Sequence, residues 1–272
     1  MRLNDKVAVV TGGGGGLGEG ICRCLALEGA RVVVSDANTE AARRVAEKLR
    51  DEGASTLAVA TDVRRKDQCS YLVSTTLEEM GGLDILVCGA GVGGFAVQGD
   101  SQEPAIIENL SEEEWNVTID VNLKGVFLCN QAVAAHFKQQ QRGKIINISS
   151  LGGRKGVDFI PHYCASKAGV IVFSQALALQ LAPFNVNVNT VCPGVIWTPM
   201  WESGARALSR TYPQFSGMPL EEIFEAMIQH MVPLKRPQRP EDIGKTVVFL
   251  ASADSDQITG QAINVDGGAA MN

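Results

Sequence analysis

Several things are scarce in this 272-residue chain, and each scarcity removes a class of protein. The seven cysteines, at 22, 24, 69, 88, 129, 164 and 192, are odd in number and form no Cys-x-x-Cys pair. No disulfide framework is expected from them; reduced, buried thiols are. His136, His162 and His230 are isolated and show no metal-ligand spacing, so no metal is expected. Positive charge is short: 24 Lys and Arg stand against 30 Asp and Glu, a formal net charge of −6. Nucleic acid needs a basic face and is not an expected partner. No apolar run is expected to reach the length of a bilayer span, which argues against a membrane role. The amino terminus, Met-Arg-Leu-Asn-Asp-Lys, runs straight into a strand without the apolar region of an export signal. A cytoplasmic location is the expectation.

What is present is the composition of a globular protein, 45% hydrophobic and 20% charged. A chain this long can bury roughly 70–75% of its unfolded surface and form its own core. Short β-branched runs predict strands at 7–10, 31–35, 56–60, 83–88, 144–148, 187–191 and 262–265. Helical patterns lie at 17–28, 39–51, 66–80, 112–140, 161–181, 220–230 and 240–251. Strands alternating with helices predict βαβ units and a parallel sheet covered on both faces. With no repeat and no long linker, residues 1–272 read as one α/β domain of about seven strands, the count of the predicted runs. Two stretches break the rhythm: 93–110, rich in Gly, Gln, Glu and Asp, and 197–240, rich in aromatics, Met and Pro.

The first predicted strand ends in Thr11-Gly12-Gly-Gly-Gly-Gly16-Leu17-Gly18 and leads into a helix. Glycines there let the backbone turn tightly and approach a pyrophosphate, while the helix start supplies N–H donors. The spacing is Gly-x-x-x-Gly-x-Gly rather than the common Gly-x-Gly-x-x-Gly. Asp36 closes the second strand, where a carboxylate can accept the ribose 2′-hydroxyls and would repel a 2′-phosphate. Gly15 and Ala37 offer no cation for such a phosphate, which favours NAD over NADP. The competing reading of Asp36 is a cap for the helix beginning near Thr39. Asp62-Val63, after the third strand, could bracket an adenine.

Tyr163 and Lys167 are four residues apart at the start of an apolar helix, so they share a face. A phenol has a reference pKa of about 10 and is a poor base at neutral pH. A neighbouring ammonium favours the phenolate and lowers that value. Ser150, thirteen residues upstream of Tyr163 and at the end of a predicted strand, could hold the oxygen of an alcohol or ketone. Alone, a Tyr-x-x-x-Lys is an ordinary feature of surface helices; the rest of the chain gives it weight.

Taken together these motifs resemble the short-chain dehydrogenase/reductase family over essentially the whole chain. The resemblance is carried by 11–18, Asp62-Val63, Asp120-Val-Asn122-Leu-Lys-Gly125, Ile148-Ser-Ser150, 163–167, Pro193-Gly194, Ile258-Thr-Gly260 and Val265-Asp-Gly-Gly268. It implies a Rossmann-type, doubly wound parallel sheet, a bound nicotinamide cofactor and hydride transfer at an alcohol carbon. By resemblance, Tyr163 is the acid/base, Lys167 binds the nicotinamide ribose and lowers the tyrosine pKa, Ser150 holds the substrate oxygen, and Asn122 holds a water in a proton relay. Gly12, Gly15, Gly16, Leu17, Gly18, Ala90 and Gly91 would contact the cofactor. Pro193, Gly194, Ile196 and Thr198 would dock its carboxamide end. One departure stands out: Cys88-Gly89-Ala90-Gly91 occupies the place of the family's Asn-Asn-Ala-Gly, so a different local brace is expected.

The substrate is less legible. Thr198-Pro-Met200-Trp201 is similar to the NAD-dependent polyol and acetoin/butanediol branch, which implies a small polyol, diol or hydroxyketone. A hydroxysteroid or a 3-oxoacyl compound is the alternative, and a non-catalytic NAD-sensing protein is an alternative of another kind. Met200 and Trp201, next to Thr198, are candidate substrate contacts, whereas Phe224, Met227 and Met231 read first as one core-packed helix face. Arg154 and Lys155 could attract an anion or be exposed loop charges; His162 could touch substrate or cap a helix. Relatives commonly form dimers or tetramers, which here would pair through 112–140 and 161–181. Ala165, Ala168, Gly169, Ala176 and Ala178 would permit close approach there or pack on the sheet.

Overall fold

The computed structural model describes residues 1–95, 97 and 105–272. Residues 96 and 98–104, in the middle of the long connection singled out above, lie outside the described residues. Seven strands form one parallel sheet: β1 (Val7–Thr11), β2 (Arg31–Asp36), β3 (Thr56–Ala60), β4 (Ile85–Cys88), β5 (Gly143–Ile148), β6 (Val186–Pro193) and β7 (Ala262–Val265). Their spatial order is β3-β2-β1-β4-β5-β6-β7, every neighbouring pair parallel. The order reverses between β1 and β4, and ligands of such sheets sit beyond the strands' carboxyl ends at that switch point.

The strands are apolar on both faces because both are covered. Ala8, Val10, Val32, Val34, Ile85 and Val87 pack against α1 (Gly16–Leu27), α2 (Thr39–Asp51) and α9 (Pro240–Ala251). Their alternates, among them Val7, Val9, Val33, Leu86 and Ile145, pack against α3 (Lys66–Met80), α5 (Gly125–Gln140) and α6 (Pro161–Leu181). The sequence periodicity thus locates each of these helices, with three differences.

The predicted 112–140 helix is three pieces. α4 (Glu112–Ile119), which Ser111 caps by accepting from the Glu114 amide, runs into a π-helical turn at Asp120–Lys124 and then into α5. The turn widens at Asn122, a side chain that reaches sideways to Val92 and Ser166. Second, α7 (Pro199–Thr211) was not foreseen. Thr198 caps it and Pro199 occupies its first turn, the usual start signal, and Trp201, Ala205 and Leu208 give the helical spacing. Together α7 and α8 (Leu220–Met231) form an excursion with two small apolar clusters of its own.

Third, the expectation about apolar length needs correction. The helical segment Pro161–Phe184, 24 residues containing an 18-residue window of mean hydropathy 1.3, is long and apolar enough to cross a membrane by length and composition alone. Its composition has a local reason. One face, with Val170, Ile171, Ser174, Ala178 and Leu181, is buried in the core, and Ser166 and Lys167 are buried near its start. The other face is made of Ala165, Ala168, Val172, Ala176 and Leu179, all exposed.

Candidate active site

The chain leaving β1 has little freedom of residue type. Gly12 has φ +70°, and a Cβ there would lie 2.7 Å from the Ala90 backbone. A Cβ on Gly18 would lie 1.9 Å from the Gly12 carbonyl oxygen, and Gly16 adopts φ +52°. Gly15 differs: it is extended, with φ 176°, and a Cβ would meet nothing closer than 3.9 Å. It stands at the start of α1, whose first amides, including those of Gly16 and Leu17, have no intrahelical partner. One Asp36 carboxylate oxygen accepts from the Gly14 amide at 3.0 Å and the other from the Asn38 amide at 2.9 Å. The capping role belongs instead to Asn38, whose side chain accepts from Ala41 at the start of α2.

Asp62 and Val63 lie on the same cleft. The Arg64 guanidinium, hydrogen-bonded to Asp62 at 2.7 Å, holds that carboxyl below its usual range. Val63 is buried under it, close enough to α5 that a Cβ on Gly125 would lie 2.6 Å away. Arg44 was missed. It donates to the Gly14 carbonyl at 2.8 Å and to Glu19 at 3.3 Å, so a cation does stand beside the glycine turn, tied to a carboxylate. Its signal was helical: Arg44 is three residues from Ala41, which abuts Gly14.

At the far end, Pro193, Gly194, Ile196 and Thr198 follow β6 and line the cleft. A Cβ on Gly194 would lie 2.7 Å from the Gln238 side-chain oxygen and 2.8 Å from the Asp266 Cα. Gln238 accepts from the Gly194 amide at 2.9 Å and donates to the Val265 carbonyl, bracing this segment on β7. Nothing in the sequence pattern marked Gln238.

Between these ends, Ser150, Tyr163 and Lys167 meet. Ser150 follows β5; its Oγ accepts from the Gly152 amide at 3.1 Å, and it stands near enough to the Tyr163 phenol to draw its pKa down. Lys167 is buried; its Nζ donates to the Ile148 carbonyl at 3.0 Å and lies 5.8 Å from the Tyr163 ring centre. Burial pushes the Tyr163 phenol up to about 12, against the pull of the nearby Ser150 hydroxyl. Burial likewise brings Lys167 down to about 8. Lost solvation, rather than the charge of Lys167, is thus the leading influence on the phenol.

Asn122 accepts from the Val92 amide at 2.8 Å and donates to the Val92 carbonyl and to Ser166 Oγ. Gly91 lies between the two groups: a Cβ there would be 3.3 Å from Asn122 Oδ1 and 3.4 Å from Lys167 Nζ. The altered Cys88-Gly89 stretch has its own brace. The Gly89 amide donates to the Thr11 carbonyl, and Asn130 donates to Cys88 Sγ and to Asn147 at 2.9 Å. Asn147 in turn donates to Ser174 at 2.9 Å, so a buried network joins β5, α5 and α6 beneath the site.

The glycine turn, Asp36, Asp62, Val63, Gly91, Ser150, Tyr163, Lys167 and the segment after β6 border one cleft of about 860 Å³, while Asn122 is buried behind it. Beyond Ser150 and Tyr163 it is walled by Phe95, Val157, Phe159, Met200, Trp201 and Leu208, with Met227 and Met231 from α8. Phe224 is core: it packs edge-on against Trp197 and Trp201 at 5.0 Å each. The predicted face of α8 is thus divided between core and cleft. Arg154 and Lys155 turn away, Arg154 donating to Asn264 and the Ala262 carbonyl and Lys155 to the Ala269 carbonyl. His162 is buried and its Nε2 meets the Gly94 carbonyl at 3.1 Å, so it fastens the loop after β4.

The short chain dehydrogenase profile matches residues 6–208. Galactitol 2-dehydrogenase of Agrobacterium fabrum is 38% identical over 269 residues, 98% of each chain. A diacetyl reductase, (S)-acetoin forming, of Staphylococcus epidermidis is 36% identical over 97% of this chain and 98% of its own. The crystal structure of an NAD+-bound xylitol dehydrogenase superposes with a TM-score of 0.90 at 28% identity, covering 98% of this chain and 100% of the other. A doubly wound sheet, a glycine turn closed to side chains at Gly12 and Gly18, a Tyr-Lys pair beside a serine, and relatives matched end to end agree: this chain belongs to the short chain dehydrogenase family, and it is an oxidoreductase.

Proposed function

We propose that this oxidoreductase moves a hydride between NAD and a secondary alcohol or its ketone, with Tyr163, Lys167, Ser150 and Asn122 as its catalytic residues. The observation that carries this is the convergence of Ser150, Tyr163 and Lys167 on a cleft that also contains the glycine turn and Asp36. The residues fit a dinucleotide. Gly12, Gly16 and Gly18 form a cradle that a Cβ would fill, with Gly15 and Leu17 at the open start of α1. Asp36 offers carboxylate oxygens to ribose hydroxyls, and among the described residues the nearby Arg44 is already paired with Glu19, which supports NAD over NADP. Asp62 and Val63 would flank the adenine, Ala90 and Gly91 the middle, and Pro193, Gly194, Ile196 and Thr198 the carboxamide.

Bound NAD supplies the hydride acceptor and a positive charge near Tyr163. In oxidation Tyr163 Oη takes the hydroxyl proton as the carbinol hydrogen leaves as hydride; in reduction the same phenol returns the proton to the carbonyl oxygen. A phenol held up by burial needs that added positive charge to act as a base, whereas it is ready as an acid. Ser150 Oγ holds the reacting oxygen. Lys167 Nζ, anchored on Ile148, holds the ribose and, with Asn122, a route for the proton to solvent.

The compounds named for the relatives support a small polyol, diol or hydroxyketone as substrate. The hydroxysteroid and 3-oxoacyl alternative uses the same machinery, and the apolar cleft wall favours it. A purely NAD-sensing protein would leave this trio without a task. Residues 197–240 would form the substrate-binding part of a single catalytic domain. The exposed apolar stripe of α6, with Val172 65% and Leu179 80% exposed, supports a homo-oligomer, dimer or tetramer, built on α5 and α6. Seven free cysteines support a cytoplasmic location. The test is Tyr163→Phe: turnover is expected to fall by roughly 10²–10⁴-fold while NAD affinity stays within about threefold. Wild-type turnover by the variant would refute the assignment.

A further inference from the structure

Resting on the hydride-transfer reading above, we infer that the substrate is an alicyclic or aromatic secondary alcohol (or its ketone) whose only buried polar group is the reacting oxygen. Among the described residues lining the cleft, the charged side chains are Asp36, Asp62, Arg64 and Lys167. The first three surround the adenosine end, and Lys167 is anchored on Ile148. The uncharged polar side chains are nearly all committed elsewhere. Asn38 caps α2, Ser149 donates to the Lys167 carbonyl at 2.7 Å, and Thr198 caps α7. Thr61 lies after β3 at the adenosine end. Besides the Trp201 indole N–H, Ser150 and Tyr163 are the side-chain groups left, and both are assigned to one oxygen by the hydride-transfer reading above.

Among the described residues the rest of the substrate end is apolar apart from the Trp201 indole N–H. Phe95 and Phe159 stack with ring centres 6.4 Å apart and planes 9° from parallel, making one flat wall. Trp201 and Leu208 of α7 and Met227 of α8 line the cleft beyond them. Flat rings and adaptable methionines accept a compact ring by dispersion and burial of apolar surface. Among the described side chains the same wall offers a second or third hydroxyl at most the single Trp201 indole N–H. A buried hydroxyl without a partner loses its hydrogen bonds to water, so each should lower kcat/KM by about tenfold, equivalent to about 1.4 kcal/mol. Arg154 and Lys155, which from sequence could either attract an anion or be loop charges, are bonded to β7 and the carboxyl-terminal tail and cannot meet a buried carboxylate or phosphate.

A matched series tests this: cyclohexanol, trans-cyclohexane-1,2-diol and myo-inositol, with 2-tetralol and xylitol as the extremes. NADH formation should give kcat/KM falling about tenfold per added hydroxyl, with 2-tetralol at least about 100-fold above xylitol. In parallel, 2-tetralone and xylitol are titrated into the protein–NADH and protein–NAD complexes, read by intrinsic tryptophan fluorescence. Tighter binding of the tetralone by at least about 100-fold is expected. Met227→Gln should narrow that ratio while NADH affinity is unchanged. Xylitol binding as tightly as the ketone, or inositol outrunning cyclohexanol, would overturn the inference and leave the oxidoreductase reading standing. Tetralone binding without turnover of any alcohol would overturn the catalytic reading and leave the apolar site standing.

Discussion

At the adenosine end of the cleft, Gly12, Gly14 and Gly18 are so close to backbone or to the Asp36 carboxylate that a Cβ would lie 2.8 Å or less from a neighbour. At the substrate end, Phe95, Phe159, Trp201 and Met227 shape the wall with side chains on loops and on α7 and α8. One end is specified by backbone and the other by side-chain surface. A pyrophosphate and a ribose are constant ligands, and a backbone that fits them tolerates little change. A substrate wall can be re-cut residue by residue while the sheet beneath it stays the same.

This contrast can be broken at several points. The largest effect should come from Gly18→Ala, whose Cβ would sit 1.9 Å from the Gly12 carbonyl oxygen. NAD affinity, measured by calorimetry, is expected to fall at least about 100-fold, while Gly15→Ala, with nothing within 3.9 Å, stays within about threefold. Equal losses at both positions would show that glycine count, not geometry, matters there. Next, Asp36→Ala with Ala37→Arg should move the NADP/NAD ratio of kcat/KM by about 10–100-fold towards NADP, the scale of one or two charge-assisted hydrogen bonds. An unchanged ratio would remove Asp36 from cofactor choice.

Beneath both ends, Asn147→Ala strips Asn130 and Ser174 of partners in a buried network. A loss of about 2 kcal/mol, or roughly 4–8 °C in Tm, is expected by calorimetry. The smallest effect concerns His162. Burial lowers its pKa, opposed by the Gly94 carbonyl and the charge of Glu114. The unfolded chain therefore binds the proton more readily, and the stability contribution, complete above about pH 6.5, is lost as pH falls below that value. Urea unfolding at pH 7 and pH 5 should show a decline in the wild type that is shallower in His162→Gln; identical slopes would free the loop after β4 from this residue.

Legibility in the sequence followed the same division. The β1 turn, Asp36, Ser150, Tyr163 and Lys167 were readable because each depends on local order: a residue type at the end of a strand or at a fixed helical spacing; Asn122 came only with the family resemblance. The structure brings the former to one cleft and buries Asn122 behind it, on Val92 and Ser166. Arg44 and Gln238 were not readable, since each acts across a distance in sequence, on Gly14 and on Gly194. The π-helical turn at Asn122 carries no composition cue that distinguishes it from the flanking helix. α7 did carry one, in Thr198-Pro199, but its glycine, serine and polar residues hid the apolar spacing. The tuning of Tyr163 was misjudged for a related reason. Proximity to Lys167 is visible in sequence, while the depth at which both are buried is not.

The claim that everything else depends on is that a hydrogen leaves a carbinol carbon for NAD beside Tyr163. It is tested most directly with 2-tetralol or cyclohexane-1,2-diol deuterated at the carbinol carbons, analysing the reduced cofactor by mass spectrometry for wild type and Tyr163→Phe. The account predicts one deuterium per NADH formed by the wild type and at least about 100-fold slower NADH formation by the variant, which still binds NAD. Unlabelled NADH, or labelled NADH formed at the wild-type rate by Tyr163→Phe, would contradict it.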